Sequence, residues 1–339
     1  MRAIGYERPL PIDHEEALIQ FETPLPTLRP RDLLVRIEAV SVNPVDVKVR
    51  ATAPPTDKPA HILGYDAAGV VQKVGSEASL FREGDAIFYA GARNRPGSNA
   101  EFHAVDERLV ALKPASLSFA AAAAMPLTSL TAWELLFEKL AVPFGQRAFN
   151  DTILIINGAG GVGSILTQLA RRLTGLTVIA TASRPESQAW CRQMGAHHVI
   201  DHRRPLPEEL ANLGIPQVRY VASLTASEQN QAAIIDCLQP FGSLALIDDP
   251  QKFDIVMFKR KSLSVHWESM FTRSSYTTAD MGQQGRILAE VSSLLEARAL
   301  QTTLRQELGP ITLTNLRRAH AAVESGKSIG KNVLSGFDL

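Results

Sequence analysis

The chain has 339 residues, enough for two domains, and is 45% hydrophobic and 21% charged, as in ordinary globular proteins. Basic and acidic residues balance at 35 each, so no charge excess points to nucleic acid or to an acidic membrane surface. There is no N-terminal secretory pattern, no apolar run of the ~18 residues that span a bilayer, and only Cys191 and Cys237 as cysteines, so the expectation is a cytoplasmic enzyme that forms oligomers.

The first third of the chain reads as β-rich. Residues 32–43, D-L-L-V-R-I-E-A-V-S-V-N, alternate apolar and polar side chains from Leu34 to Val42, the pattern of a half-buried strand. Pro44 suits the first turn of a short helix over 44–50. Residues 51–59 read as an exposed Pro- and Thr-rich loop, and 91–98, G-A-R-N-R-P-G-S, as a mobile turn. Further strands are predicted at 65–75, 85–90, 100–105 and 109–113. A long helical region over 118–140, interrupted at Pro126, bridges to a second domain.

Residues 152–170 organise that second domain. A β-branched run, 153–156, has the make-up of a strand buried on both faces, and Ile165, Leu166 and Leu169 carry an apolar helical face. Between them Gly158, Gly160 and Gly163, with Gly161 and Val162, fit G-x-G-x-x-G. In that strand–helix context the motif binds a dinucleotide, with the pyrophosphate at the helix N-terminus. Strands then alternate with helices: strands at 176–182, 197–200, 217–224, 243–248 and 262–267, helices at 187–194, 228–238 and 281–297. About six strands in this rhythm predict a doubly wound parallel sheet. The end of the chain holds a strand, a helix at 313–325 and a strand at 331–334, too little to fold alone, so it rejoins the first domain.

Several segments in order make the chain resemble the medium-chain dehydrogenase/reductase superfamily. They are S-V-N-P-V-D at 41–46, L-G-Y-D-A-A-G-V-V-Q-K-V-G at 63–75, E-G-D at 83–85, M-P-L-T-S-L-T-A-W at 125–133 and the glycine loop. M-G-A-H-H-V-I-D-H at 194–202, H-W-E-S-M-F at 266–271 and G-K-S-I-G-K-N-V-L at 326–334 complete them. The likeness is to the quinone-oxidoreductase side and to bacterial zinc-type alcohol dehydrogenase-like proteins. It implies an α/β fold in which a Rossmann doubly wound parallel sheet is inserted in a β-rich GroES-like catalytic domain, with the active site in the cleft. The expected divisions are 1–125 (catalytic), 126–297 (Rossmann, NADP-binding) and 298–339 (return to the catalytic domain).

Zinc needs Cys, His or carboxylate ligands. The resemblance matches Asn43 to a catalytic cysteine, Gly64-Tyr65-Asp66 to a G-H-E motif, and a position near Leu127 to a second cysteine, and no four-cysteine lobe follows Gly91. No metal is therefore expected, with a site from His61, His103 and Asp66 as the alternative. At the end of the second strand, where NAD enzymes place an acid, stand Ser183 and Arg184. A hydroxyl and a guanidinium there suit a 2′-phosphate, a preference of roughly 1.5–3 kcal/mol. Arg184 also reads as a plain surface cation. By resemblance His202 assists, Thr131 lies near the nicotinamide ribose, and Leu224, Thr225, Ile247, His266 and Trp267 edge the cofactor, while Lys331 and Asn332 close the cleft. Packing is the alternative role for each.

Hydride transfer without a metal needs hydrogen-bond donors to polarise the acceptor. Asn43 is the first candidate, either as a donor to a carbonyl oxygen or in fixing the nicotinamide. Asp46 orients the segment or is an N-terminal helix charge. Lys48 offers a buried ammonium or is an exposed helix lysine, and Tyr65 is a further donor. The expected activity is NADPH-dependent reduction of a quinone or α,β-unsaturated carbonyl. The alternatives are a zinc-dependent alcohol or aldehyde dehydrogenase and a non-catalytic NADPH-binding sensor. Segments 51–59, 91–99 and 270–280 are expected to line the substrate pocket, and pairing of the edge strand 262–267 to give a homodimer.

Overall fold

The computed structural model describes residues 1–55, 57, 59–145 and 151–337. Thr56 and Lys58, inside the expected loop 51–59, lie outside the described residues. The chain forms two compact units, Met1–Leu130 with Phe271–Leu339, and Thr131–Met270.

The first unit is built on a seven-stranded sheet. Its path runs Leu304–Glu307, Lys331–Ser335, Asp32–Ser41, Ala67–Val74, Ala86–Tyr89, Val110–Leu112, with Phe102–Asp106 also paired to Asp32–Ser41. The returning chain end adds its strand antiparallel to the first half, Leu334 opposite Val40, as the short terminal elements require. Asp32–Ser41 is not half-buried as its alternation suggests: only Arg36 is fully exposed. It has strand partners on both edges and the helix Phe119–Ala123 against it, so both faces are covered. A separate three-stranded sheet of Ile19–Glu22, Arg2–Tyr6 and His61–Ile62 is not evident in the apolar pattern. The segment 91–98 is anchored where a mobile turn was expected. Arg95 makes a bidentate pair with buried Asp32 at 2.8 and 2.6 Å, and Gly97 donates its N–H to the Ile62 carbonyl.

The second unit is a six-stranded parallel sheet in the order His198–Ile200, Thr177–Thr181, Thr152–Ile156, Val218–Ser223, Leu238–Leu246, Ser264–Trp267. This is the 3-2-1-4-5-6 order of the Rossmann fold, reversing beside its first strand. Thr152–Ile156 is buried at every position, as its β-branched run demands. The division differs from the expected one at both ends. The boundary falls at Leu130/Thr131, within the helix Pro126–Trp133, and at Met270/Phe271. The helix Gln283–Glu296 belongs to the first unit because it packs on Val110–Leu112: a Cβ on Gly285 would sit 2.9 Å from the Val110 carbonyl oxygen. One helical stretch, Phe119–Lys139, is apolar and long enough to cross a membrane, but 89% of its apolar window is buried within the protein, so it reads as a core helix. It ends in a π-helical segment, Glu134–Lys139.

Candidate functional site

In the second unit the glycine loop follows the first strand directly. Asn157 takes a left-handed conformation (φ 65°) and turns the chain into the helix Gly161–Leu173, capped by Gly160. The glycines answer different demands. A Cβ on Gly158 would lie 2.6 Å from the Ala180 Cβ, and one on Gly163 would lie 2.4 Å from the Asn157 carbonyl oxygen, so packing excludes both. At Gly160 the nearest atom is the Asn157 amide nitrogen at 3.1 Å. The fold barely needs a glycine there. A backbone-hugging ligand does, at a helix end whose first N–H groups have no intrahelical acceptor. Gly160, Gly161 and Val162 are partly exposed, so the loop is open.

The ends of the neighbouring strands carry the other expected residues along the same edge. Ser183 follows Thr177–Thr181, and its carbonyl accepts from Arg203 Nη2 at 2.7 Å. Arg184 is exposed and leads into the helix Pro185–Gln193. His202 is exposed as a residue, but its Nδ1 lies 3.1 Å from Thr181 Oγ1, and partial desolvation of the ring holds its imidazole below the usual range. Arg203 was not singled out by sequence. It clasps Asp201 at 2.6 Å and pulls that carboxyl down to about 2. The charge of the acid at the end of the third strand is therefore offset, and Arg203 links it to the Ser183 carbonyl, with Arg184 next in the chain and His202 against Thr181. Leu224 is buried and Thr225 exposed; Ile247 is half-buried; and Asp248 is committed to the helix Ser227–Cys237, accepting the Ser227 N–H at 2.8 Å. His266 is half-buried and Trp267 exposed on the edge strand, while Thr131 is buried in the helix Pro126–Trp133.

In the first unit the chain gathers a fully buried polar network. Asn43 caps the helix Pro44–Thr52, and Asp46, one turn on, accepts the Asn43 N–H at 2.8 Å and the Gly64 N–H at 3.0 Å. Burial pushes the Asp46 carboxyl up to about 7 against those two bonds. The Asn43 side-chain N–H donates to Asp66 Oδ2 at 2.8 Å, and the Leu127 N–H donates to Asp66 Oδ1 at 2.7 Å. Lys331 completes the set. Its Nζ lies 2.5 Å from Asn43 Oδ1, 3.0 Å from Asp66 Oδ2 and 3.1 Å from the Val42 carbonyl.

Several expected roles change with this geometry. Asn43 has its amide engaged on both sides within the protein, so it orders the network rather than presenting an open donor. Lys331 bonds Asn43, Asp66 and the Val42 carbonyl within its own unit, and Asn332 receives the Ser41 hydroxyl on its carbonyl at 2.9 Å. Lys48 lies on the exposed side of its helix, because Asp46, Val49 and Arg50 form the buried face. The buried ammonium considered for Lys48 is supplied by Lys331. Tyr65 is buried with its hydroxyl unpaired among the described residues, and its ring meets Phe271 edge-on at 5.3 Å. Burial and the neighbouring Asp46 raise the phenol above its ordinary range. The Arg93 guanidinium stands 6.0 Å from the centre of the Phe271 ring, so segments 91–99 and 270–280 meet at the residue that packs on Tyr65.

The three residues offered as an alternative zinc site do not assemble. His61 pairs with Asp57 at 2.6 Å, His103 lies between Tyr89 and the Pro96 carbonyl, and Asp66 belongs to the Lys331 network. Among the described residues no group of three or more His, Cys, Asp and Glu side chains is placed to hold a metal. Cys191 and Cys237 are buried in the second unit, their thiols pushed up to about 12 by burial.

A Rossmann sheet with a dinucleotide loop, joined to a GroES-like unit made from both chain ends, defines a medium-chain dehydrogenase/reductase. Comparison with known proteins agrees. Residues 29–115 match the alcohol dehydrogenase GroES-like domain and 161–283 the zinc-binding dehydrogenase domain. The chain is 36% identical over 337 residues to a zinc-type alcohol dehydrogenase-like protein of Staphylococcus aureus, covering 99% of this chain and 100% of that one. A solved Rhizobium etli protein described as a zinc-dependent alcohol dehydrogenase superimposes with TM-score 0.96 at 52% identity, over 100% of this chain and 99% of that one. Escherichia coli quinone oxidoreductase complexed with NADPH gives TM-score 0.83 at 26% identity, over 99% and 100%. An NADPH-dependent alkenal/one oxidoreductase of Arabidopsis thaliana is 37% identical over 195 residues, 55% of this chain and 49% of that one. The chain belongs to the medium-chain dehydrogenase/reductase superfamily, among its zinc-type alcohol dehydrogenase-like proteins.

Proposed function

We propose that the protein is an NADPH-dependent reductase of quinones or α,β-unsaturated carbonyls that works without a metal. The observation that carries this reading is the end of the second strand: Ser183 beside Arg184, with Asp201, at the end of the neighbouring strand, clasped by Arg203. A 2′-phosphate meets guanidinium and hydroxyl there, and the charge of Asp201 is offset by Arg203. The names of the E. coli and Arabidopsis relatives, which include NADPH, a quinone and an alkenal/one, are in keeping with it.

NADPH, when bound, supplies a hydride. The chain's part is to seat the pyrophosphate on the Gly160–Val162 N–H groups and the 2′-phosphate on Arg184. It must also stabilise the negative charge that develops on the acceptor's oxygen. Tyr65 is the donor for that oxygen, since its hydroxyl, protonated at neutral pH as any phenol is and more so when burial raises it, has no partner among the described residues. Asn43, Asp46 and Asp66 hold the surrounding backbone at 43, 64 and 127 in place. The test is NADPH consumption across quinones, enones and aldehydes, with and without added zinc. Turnover of quinones or enones untouched by a chelator supports the reading. Chelator-sensitive alcohol oxidation overturns it, as does a tight NADPH complex with no turnover.

A homodimer is part of the same proposal. Ser264–Trp267 is an edge strand with one paired side, and Trp267, Ile255, Val256 and Met257 expose apolar surface near it. Sedimentation that gives a monomer at micromolar concentration would end it.

A further inference from the structure

The family to which this chain belongs carries zinc in its description, and the first unit gathers oxygen donors at one buried point: the Val42 carbonyl, Asn43 Oδ1 and Asp66 Oδ2. These residues do not fit zinc. They include no sulfur or imidazole, and the lone pairs that face inward are already taken by N–H donors. What sits among them is Lys331 Nζ, with three acceptors for its three N–H groups and a side chain only 4% exposed. Asp66, 0% exposed, supplies the counter-charge, and its other oxygen takes the Leu127 N–H. Lys331 comes from the last strand of the chain, 288 residues from Asn43, so this point closes only when both chain ends have come together.

We propose that the Lys331 ammonium is the built-in cation of this unit: a tethered positive charge that fills the donor cage and organises Asn43 and Asp66 as a bound metal ion would. Lys331 is thus a positioning residue acting through Asn43 and Asp66. Because the cation is covalently attached, it cannot dissociate, and a divalent ion cannot enter without expelling it. Removing the tether leaves a cation-sized space lined by carbonyl, amide and carboxylate oxygens. That chemistry takes a small alkylammonium ion or a hard divalent cation such as Mn²⁺.

The experiment is thermal unfolding of the full chain, as wild type, Lys331→Ala and Lys331→Met, with methylammonium chloride, MnCl₂ or ZnCl₂, each against NaCl of equal ionic strength. The wild-type midpoint is expected to move by less than about 1 °C with any of them. Lys331→Ala is expected to melt roughly 5–15 °C lower and to recover part of the loss in methylammonium or Mn²⁺. Lys331→Met, which fills the space with an apolar chain, is expected to stay unresponsive. If Lys331→Ala is recovered only unfolded, refolding yield in methylammonium against sodium is the readout, and a higher yield in methylammonium supports the proposal. Equal behaviour of Lys331→Ala in methylammonium, Mn²⁺ and sodium overturns it, and so does wild-type protein that takes up one zinc per chain. None of these readouts uses turnover, so the reductase reading and this one can fail separately.

Discussion

Asn43 and Asp66, 23 residues apart in sequence, are joined by a 2.8 Å hydrogen bond from the Asn43 side-chain N–H to Asp66 Oδ2, with neither residue more than 1% exposed. The bond ties the start of the helix Pro44–Thr52 to the segment that opens the strand Ala67–Val74. It also fixes the Asn43 side-chain Oδ1 toward Lys331. Asp66→Asn keeps this shape but removes the counter-charge of a buried ammonium. Leaving one member of a buried pair uncompensated costs about 3–5 kcal/mol. Urea unfolding of Asp66→Asn is expected to register a loss of that order. The double variant Asp66→Asn/Lys331→Met, with no charge left in the pair, is expected to regain much of it. A loss below about 1 kcal/mol in the single variant would show that the ion pair is not needed.

Asp46 gives the fold a pH dependence of definite sign. Burial raises its carboxyl from 3.8 to about 7, so between those values the folded chain keeps a proton that the unfolded chain has released. Its contribution is complete below pH 3.8, declines as pH rises, and is gone above about 7. His103, lowered to about 4, and His320, lowered to about 3, act in the opposite sense, since each must be charged on unfolding in acid. The informative quantity is therefore the difference between wild type and Asp46→Asn. That difference is expected to shrink steadily from pH 4 to 7 and then to stay flat. A difference independent of pH would mean that Asp46 titrates normally.

In the proposed reading, Tyr65 separates catalysis from stability. Its hydroxyl is buried and unpaired among the described residues, so the phenylalanine variant removes an unsatisfied group without opening a cavity. Tyr65→Phe is expected to be as stable as wild type or slightly more so, with kcat reduced about 100-fold and NADPH affinity unchanged. Full kcat in Tyr65→Phe would remove it from the chemistry.

In the proposed reading, cofactor choice rests on Ser183 and Arg184 at the end of the second strand. Arg184→Ala is expected to weaken NADPH binding about 10- to 100-fold and leave NADH nearly unaffected. Ser183→Asp is expected to reverse the preference, because a carboxylate there accepts the ribose 2′-hydroxyl and repels a phosphate. Fluorescence titration with both nucleotides measures this directly. Equal losses for NADPH and NADH in Arg184→Ala would place its guanidinium away from the 2′ position.

The glycine loop and its sheet were legible in the sequence because their signals are local. Strand, glycines and helix lie within 152–170, and the strand ends that carry the further expected contacts are marked by periodicity. The Lys331 network was not, since it joins positions 43, 66 and 331, which no periodicity relates. Lys48 took the role that belongs to Lys331 because it lies near the motif in sequence. Its place on the helix already argued against this, since Asp46, Val49 and Arg50 at i, i+3 and i+4 define the inward face and leave Lys48 outside. Arg203 was overlooked beside His202 for a related reason. Its effect is to neutralise Asp201, a pairing across one intervening residue that appears only when the loop is seen.

The glycine loop allows a test that separates folding from binding within three residues. At Gly163 an added methyl would press to 2.4 Å on the Asn157 carbonyl and 2.7 Å on Gly158, both backbone and unable to yield. Gly163→Ala is therefore expected to lower the melting temperature markedly and to reduce soluble yield. At Gly160 the nearest atom is the end of the Asn157 side chain at 3.1 Å, which can move by a few tenths of an ångström. Gly160→Ala is expected to melt within about 2 °C of wild type. The same methyl would stand where a pyrophosphate meets the helix N-terminus, so NADPH affinity is expected to fall at least about tenfold. Unchanged affinity in a well-folded Gly160→Ala protein would mean that the nucleotide does not lie on this loop.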